Sequence, residues 1–539
     1  MATTSSPARS IPEPGRSHSR SPIRTTNNHR SNHRSNHGGN HGSNHRTNHR
    51  SNHSRNHSRN HSNGGGGRNG MRTPLPVHNG DVERARQPAT AGEKVMRVFR
   101  VRRSGESGRS GIHPIIFLRN IFRSAGWASQ AVNVLWPVVP VAIAIRYALP
   151  DRHLVIFVLS YLAMVPCANL IGYAGQELAR KLPHVLGVVI ETMLAGVVEL
   201  ILFVVLIRRP NTDEVNYIQV IQAAILGSVL ATMLLCLGLC FVAAGLKREE
   251  AHFSETVGEA GSALLWIAGF GLAIPTVFEH SLRGAIPEQD LVDKAVEISR
   301  STAVLLLIAY VIYIFFQVRT HHGIYDAIFT ADEEREARAD ADKRPSSSPA
   351  AAAHDRLTLC ECCVALAAAI ALVTLIAIAL VDQIHYVVEE RDVSDAFVGL
   401  ILVPLVEKAA EHLAAVSEAY ENRMNFALSH VLGATLQTAL FNAPLIVLVG
   451  WALDRPMGLN FAVFDVVVLL LAIIALGNFL RDQKTNYLEG SLCVLVYIAI
   501  AVAALYYPNP HELAAAAGDG HGSGGDGGGG GGGGGGGHR

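Results

Sequence analysis

Residues 187–204, GVVIETMLAGVVELILFV, and residues 397–416, FVGLILVPLVEKAAEHLAAV, are two apolar stretches that each carry a glutamate near the middle, Glu199 and Glu411, after a run of small residues. Each is followed by a second related stretch, AAILGSVLATMLL at 223–235 and SHVLGATLQTALF at 429–441. A glutamate-bearing segment and then a small-residue segment therefore occur twice in one chain, which is an internal repeat. A helix needs about 20 apolar residues to cross roughly 30 Å of hydrocarbon, and both stretches meet that length.

Outward from this pair, apolar blocks of similar length recur at 131–149, 154–173, 187–207, 217–245, 261–279, 302–318, 361–381, 396–416, 426–452, 462–480 and 488–507. The expected fold class is all-α: a polytopic membrane protein of about eleven transmembrane helices. The two glutamate spans are the third and the eighth, five positions apart, so the copies enter the membrane from opposite sides. Inverted five-helix repeats of this kind place a binding site near the bilayer midplane. The expected boundaries are a first transmembrane helix at 131–149, a first repeat at 154–319, a charged linker at 320–358 and a second repeat at 361–508.

Composition agrees with this division. The chain is 49% hydrophobic and 17% charged, yet residues 1–110 are almost wholly polar, with Ser-Asn-His-Arg repeats, and residues 509–539 end in a glycine run. Such segments lack the apolar side chains needed to build a core and are expected to be disordered. The net charge of +1 says little about partners, because basic and acidic regions cancel. Lysine and arginine collect at the N-terminus, at Arg180 and Lys181, at Lys247 and Arg248, in the 320–358 linker, and at Arg481 and Lys484; the positive-inside rule then puts the N-terminus and the linker in the cytosol. Seven cysteines without metal or disulfide spacing read as packing residues. The chain contains no phosphate-cradling glycine loop, no zinc-spaced histidine pair and no nucleophile with its base, which argues against an enzyme.

An ionised carboxylate in a membrane span costs about 3 kcal/mol on insertion scales, so it is expected to face a wet cavity and act there. A lone glutamate can serve as a protonated hydrogen-bonding group, but two at matching repeat positions point to a site. Glu199 and Glu411 are the candidate metal ligands. Glu191 lies about two helical turns before Glu199, on a similar face. Glu407 and Lys408 lie four and three residues before Glu411. Lys408 reads either as a structural counter-ion or as a built-in competitor for a transported cation. Gln437, Ser228 and Thr232 offer amide and hydroxyl oxygens, or else helix-packing hydrogen bonds. His412, next to Glu411, is a candidate proton relay or a structural hydrogen-bonding group. A site that holds either a cation or protons is an antiporter; a regulatory or scaffold membrane protein that has lost transport is the alternative from another class.

At these residues the sequence resembles the cation/proton exchangers of the CAX family, in the sodium/calcium exchanger superfamily, over roughly residues 150–508. ISRSTAVLLLIAYVIYIFFQVRTH (298–321), DAFVGLILVPLVEKAAEHLAAV (395–416), GATLQTALFNAPLIVLVGW (433–451) and NYLEGSLCVLVYIAIAVAALYYP (486–508) carry the likeness with the glutamate spans. The resemblance implies a vacuolar or similar membrane, cation uptake driven by the outward proton gradient, Glu199 and Glu411 as paired ligands, and Gly227, Ser228 and Gln437 at the border of the site. It implies no cofactor; the partners are inorganic cations, protons and the bilayer, with no nucleic acid and with a second copy of the chain as an open alternative. Where the family usually has Asn-Ala-Thr-Phe-Gly-Asn-Ala-x-Glu, residues 191–199 here read ETMLAGVVE, and Gly-Asn-Ala-Ala-Glu-His is EKAAEH at 407–412. Lost amide oxygens hurt a six-to-eight-coordinate ion most, and the pattern is similar to a divergent fungal branch that handles sodium and potassium. Monovalent or mixed cargo is the expectation, with calcium as the alternative.

Overall fold

The computed structural model describes residues 111–508 apart from 124–126, 183, 212–214, 321–355 and 392. The expected disordered tails and most of the linker lie outside the described residues. The first half runs through α1 (Pro114–Arg123), α2 (Trp127–Asn133), α3 (Val138–Ala148), α4 (His153–Lys181), α5 (His184–Ala195), α6 (Val197–Ile207), α7 (Tyr217–Leu230), α8 (Leu237–Gly245), α9 (Glu255–Leu282) and α10 (Glu288–Phe315). The second half follows with α11 (Leu359–Val381), α12 (Ile384–Arg391), α13 (Asp395–Phe397), α14 (Val403–Tyr420), α15 (Met424–Gln437), α16 (Ala443–Ala452), α17 (Val463–Arg481) and α18 (Tyr487–Leu505).

Among the described residues nine helical segments are long and apolar enough to cross a membrane, and α5 with α6, bent by 44° where they meet, makes a tenth. The remaining expected span, 396–416, is helical through 395–420, but Glu407, Lys408 and Glu411 keep it from qualifying on apolarity. The expectation of about eleven thus meets ten by composition and one charged helix. α10 begins well before the expected residue 302, because its first turns are polar. The short helices α1 and α12 were not expected.

Local chemistry explains the ends. Asn216 caps α7 by accepting from the amides of Ile218 and Gln219, and Asn486 caps α18 through Leu488 and Glu489. Thr358 and Glu361 form a capping box at α11, and Glu361 also accepts from the His113 amide before α1. α14 stops at Asn422, whose φ of 73° is the left-handed conformation asparagine tolerates best among residues with a side chain. The amides of Asn422 and Arg423 return to the carbonyls of Ala419 and Glu418, so the turn into α15 is a Schellman motif.

Among the described residues four stretches widen into π-helical turns: Ala231–Cys236 between α7 and α8, Phe316–Thr320 after α10, Val398–Leu402 before α14, and Thr438–Asn442 between α15 and α16. Pro404 and Pro444 follow the last two closely. Proline has no N–H for the carbonyl four residues back, and a wider turn accommodates that loss. The carbonyl so freed at Leu400 points at α7, where a Cβ on Gly227 would come within 2.1 Å of its oxygen. Gly227 therefore lets two helix backbones touch, the means by which helices associate closely inside a membrane.

The halves interlock. α4 packs along α11, α8 along α18, α9 along α17, and the π turn at 398–402 against α7. Antiparallel two-residue strands, β1 (Ala251–His252) and β2 (Lys484–Thr485), join the loop after α8 to the loop before α18. With Glu199 superposed on Glu411 the sequence pairs Gly196 with Lys408, and with Gly227 superposed on Gly433 it pairs Thr232 with Thr438 and Cys236 with Asn442; the π turns at 231–236 and 438–442 then fall at matching places.

Candidate functional site

Gly196 separates α5 from α6, and Glu199 lies in the first turn of α6, where the helix dipole favours negative charge. The break is packed tightly. A Cβ at Gly196 would lie 2.6 Å from Gln437 Nε2 and 2.7 and 2.9 Å from Asn442 Nδ2 and Oδ1, so the bare Cα is what admits both amides.

Those groups come from the other repeat. Asn442 Nδ2 donates to Glu199 Oε2 at 2.7 Å and Thr438 Oγ1 donates to the same oxygen at 2.8 Å. Gln437 Nε2 donates to the Thr192 carbonyl, which ties α5 to α15 beside the break. Lys408 Nζ stands 3.1 Å from Glu199 Oε2 and 3.5 Å from Glu411 Oε2. The ammonium thus joins the two repeat-related carboxylates. Glu199 and Lys408 are buried, whereas the Glu411 side chain keeps 19% of its surface exposed.

Acceptors outnumber donors. Glu199 Oε1, both oxygens of Glu407, Glu411 Oε2 and Asn442 Oδ1 are buried with no hydrogen-bond partner. The Ser228 hydroxyl lies beside Glu407 without the geometry of a hydrogen bond. Buried polar groups are nearly always satisfied, and oxygens left over in such number around one ammonium have the chemistry to accept further positive charge, as protons or as a cation. Among the described residues no three His, Cys, Asp or Glu side chains converge closely enough to hold a metal ion in this conformation.

The other expected site residues divide. His412 and Thr232 meet, Nε2 to Oγ1 at 3.2 Å, and Thr232 returns a bond of 2.8 Å to the Ser228 carbonyl. Thr232 is the repeat-mate of Thr438, but it meets His412 where Thr438 meets Glu199, the equivalent of the neighbouring Glu411. Glu191 is not brought to Glu199: its side chain is exposed, and its charged neighbours are His430, Arg180 and Glu418. The break at Gly196 explains the miss, because two turns of continuous helix no longer connect residue 191 to residue 199. Gly227 serves helix contact rather than the carboxylates. Gln437 touches backbone and not a carboxylate. Thr438 and Asn442 were absent from the sequence reading, although alignment of the repeats through Thr232 points directly to Thr438.

Comparison with known proteins follows the same lines. The family described as sodium/calcium exchanger protein matches residues 152–319 and 362–506, more than half of the chain. A vacuolar calcium ion transporter of Schizosaccharomyces pombe is 32% identical over 343 residues, 64% of this chain and 77% of its own length. Vacuolar cation/proton exchanger 5 of Arabidopsis thaliana is 29% identical over 372 residues, 69% of this chain and 80% of its own. Among solved structures, native YfkE superposes with a TM-score of 0.54 at 22% identity, covering 69% of this chain and 100% of that one. An H+/Ca2+ exchanger, CAX, gives a TM-score of 0.50 at 15% identity over 73% and 90%. At such identities these two superpositions speak for the fold alone.

Proposed function

The chain belongs to the sodium/calcium exchanger protein family, secondary transporters rather than enzymes, and we propose that it exchanges a cation for protons with Glu199 and Glu411 as the shared ligands. The observation that carries this reading is the set of buried, unpartnered oxygens around a single ammonium. An uncompensated buried carboxylate is costly, so the cluster favours states in which a cation or protons complete its charge. Mutual exclusion between the two, combined with alternating access to the two sides, is antiport. Glu199 is held by Thr438 and Asn442 from the opposite repeat, so a relative movement of the repeats changes the ligand set and exposure together.

Calcium is the first cargo we propose. Relatives bear the names vacuolar calcium ion transporter and, in Aphanothece halophytica, Ca(2+)/H(+) antiporter, which reverses the order expected from the substituted motifs. Sodium or potassium is the second reading, and Lys408 is the observation in its favour: a monovalent ammonium already fits between the carboxylates. The names of the relatives support a vacuolar membrane, and the distribution of lysine and arginine supports a cytosolic N-terminus. The domain limits we propose follow the repeats, 154–319 and 361–508, with the linker between them.

Proteoliposomes with an imposed pH gradient and a trapped pH dye test this. Added calcium, sodium or potassium should collapse the gradient in wild type and in neither Glu199→Gln nor Glu411→Gln. A gradient that no cation discharges in wild type overturns the antiporter reading.

A further inference from the structure

Lys408 is among the largest fully buried side chains of the described residues. Two of its features do not fit a fixed counter-ion. First, its ammonium contacts a Glu199 oxygen that already receives Thr438 and Asn442, while Oε1 of the same carboxylate receives nothing. Removing the ammonium would therefore leave Glu199 held in place by two donors from the other repeat. Second, the adjacent residue is Glu407, whose carboxylate is buried, unpartnered and within Coulombic range of Lys408. A second acidic side chain thus lies next to the first pair, and a lysine stem with several rotatable bonds is suited to move between them.

We propose that Lys408 is a tethered competitor for the transported cation. Its ammonium occupies the Glu199–Glu411 pair when cargo is absent and swings to Glu407 when cargo binds, so that Lys408 and Glu407 together set the affinity of the site. The lysine remains charged throughout; what alternates is its partner. This proposal rests on the antiporter reading.

The magnitude follows from occupancy. A site that is free for only a fraction of the time shows its affinity reduced by that fraction; an ammonium present about 90–99% of the time therefore raises the apparent KM about 10- to 100-fold. The test is cation-driven proton efflux from proteoliposomes of the full chain, with calcium and with sodium as probes, at an external pH of about 8 to limit competition by protons. Lys408→Met, close in volume but uncharged, should lower the KM by about 10- to 100-fold. Lys408→Arg, whose planar fork binds carboxylates more firmly, should raise it. A Lys408→Met protein that unfolds cooperatively and transports with an unchanged or higher KM overturns the proposal. Should that variant not fold, Glu407→Gln decides: loss of the second resting place should raise the KM, and an unchanged or lower KM overturns the proposal. If wild type itself moves neither probe, the antiporter reading fails, and the proposal with it; transport by wild type with an indifferent Lys408→Met protein sinks the competitor alone.

Discussion

Substitution of Gly196 by alanine tests the site through a single methyl group. The new Cβ would lie 2.6 Å from Gln437 Nε2 and 2.7 Å from Asn442 Nδ2, about 0.7 Å inside ordinary van der Waals separation, since close-packed atoms forfeit contact energy or clash at sub-ångström displacements. The φ of −87° at Gly196 is open to alanine, so backbone strain does not enter. If Asn442 yields by that distance, its 2.7 Å bond to Glu199 stretches to the limit of hydrogen bonding. A hydrogen bond to a charged group is worth about 1.5–3 kcal/mol, or about 10- to 100-fold in an equilibrium constant. The expected result is a lower thermal unfolding midpoint together with a KM raised about tenfold or more. Gly433→Ala is the matched control, because nothing lies within 4 Å of its Cβ position. Chain entropy alone makes glycine-to-alanine changes stabilising by about 0.4–1 kcal/mol, so the two substitutions should move stability in opposite directions. A Gly196→Ala protein that matches Gly433→Ala in melting and in KM refutes the account of how Glu199 is held.

Thr438→Val removes one of the two donors to Glu199 and should raise the KM by about 10- to 100-fold, near 1.5–3 kcal/mol, as measured by dye-reported proton efflux. Gly227→Ala meets a backbone carbonyl, not a flexible side chain, at 2.1 Å; α7 and the π turn at 398–402 must separate, and thermal unfolding in detergent should show a loss of about 1–3 kcal/mol. Glu361→Ala breaks the capping box of α11 and the bond from His113; it should cost about 1–2 kcal/mol of stability and leave the KM as it was, because Glu361 is remote from the carboxylate pair in the fold.

The repeat and its glutamates were readable because both are written in local sequence: apolar length, a charged exception within it, and recurrence. The cap residues Asn216 and Asn486 are equally local signals. Reading went astray where a backbone irregularity intervened. Glu191 shares a face with Glu199 only if the helix is continuous, and the sequence TMLAGVVEL has no proline to announce the bend at Gly196. Thr438 and Asn442 reach Glu199 from within a π turn, and Pro444, the one trace of that turn in the sequence, does not say which side chains it aims at the site. The preference for monovalent cargo came from counting lost asparagines. The same count overlooked Asn442, an amide that this chain places on Glu199 from the opposite repeat.

The unequal helices around the two glutamates bear on how such a chain can evolve. In a dimer of identical halves, every substitution acts at both sides of the symmetry axis at once. Two copies of the first half would present a pair of Glu199 carboxylates with no ammonium, and two copies of the second would force two Lys408 ammoniums into one space. Neither half is now its own partner. Once both lie in one polypeptide, a mutation is felt once, so Gly196 and Lys408, which occupy equivalent positions in the repeat, were free to become a helix break in one half and a charge in the other.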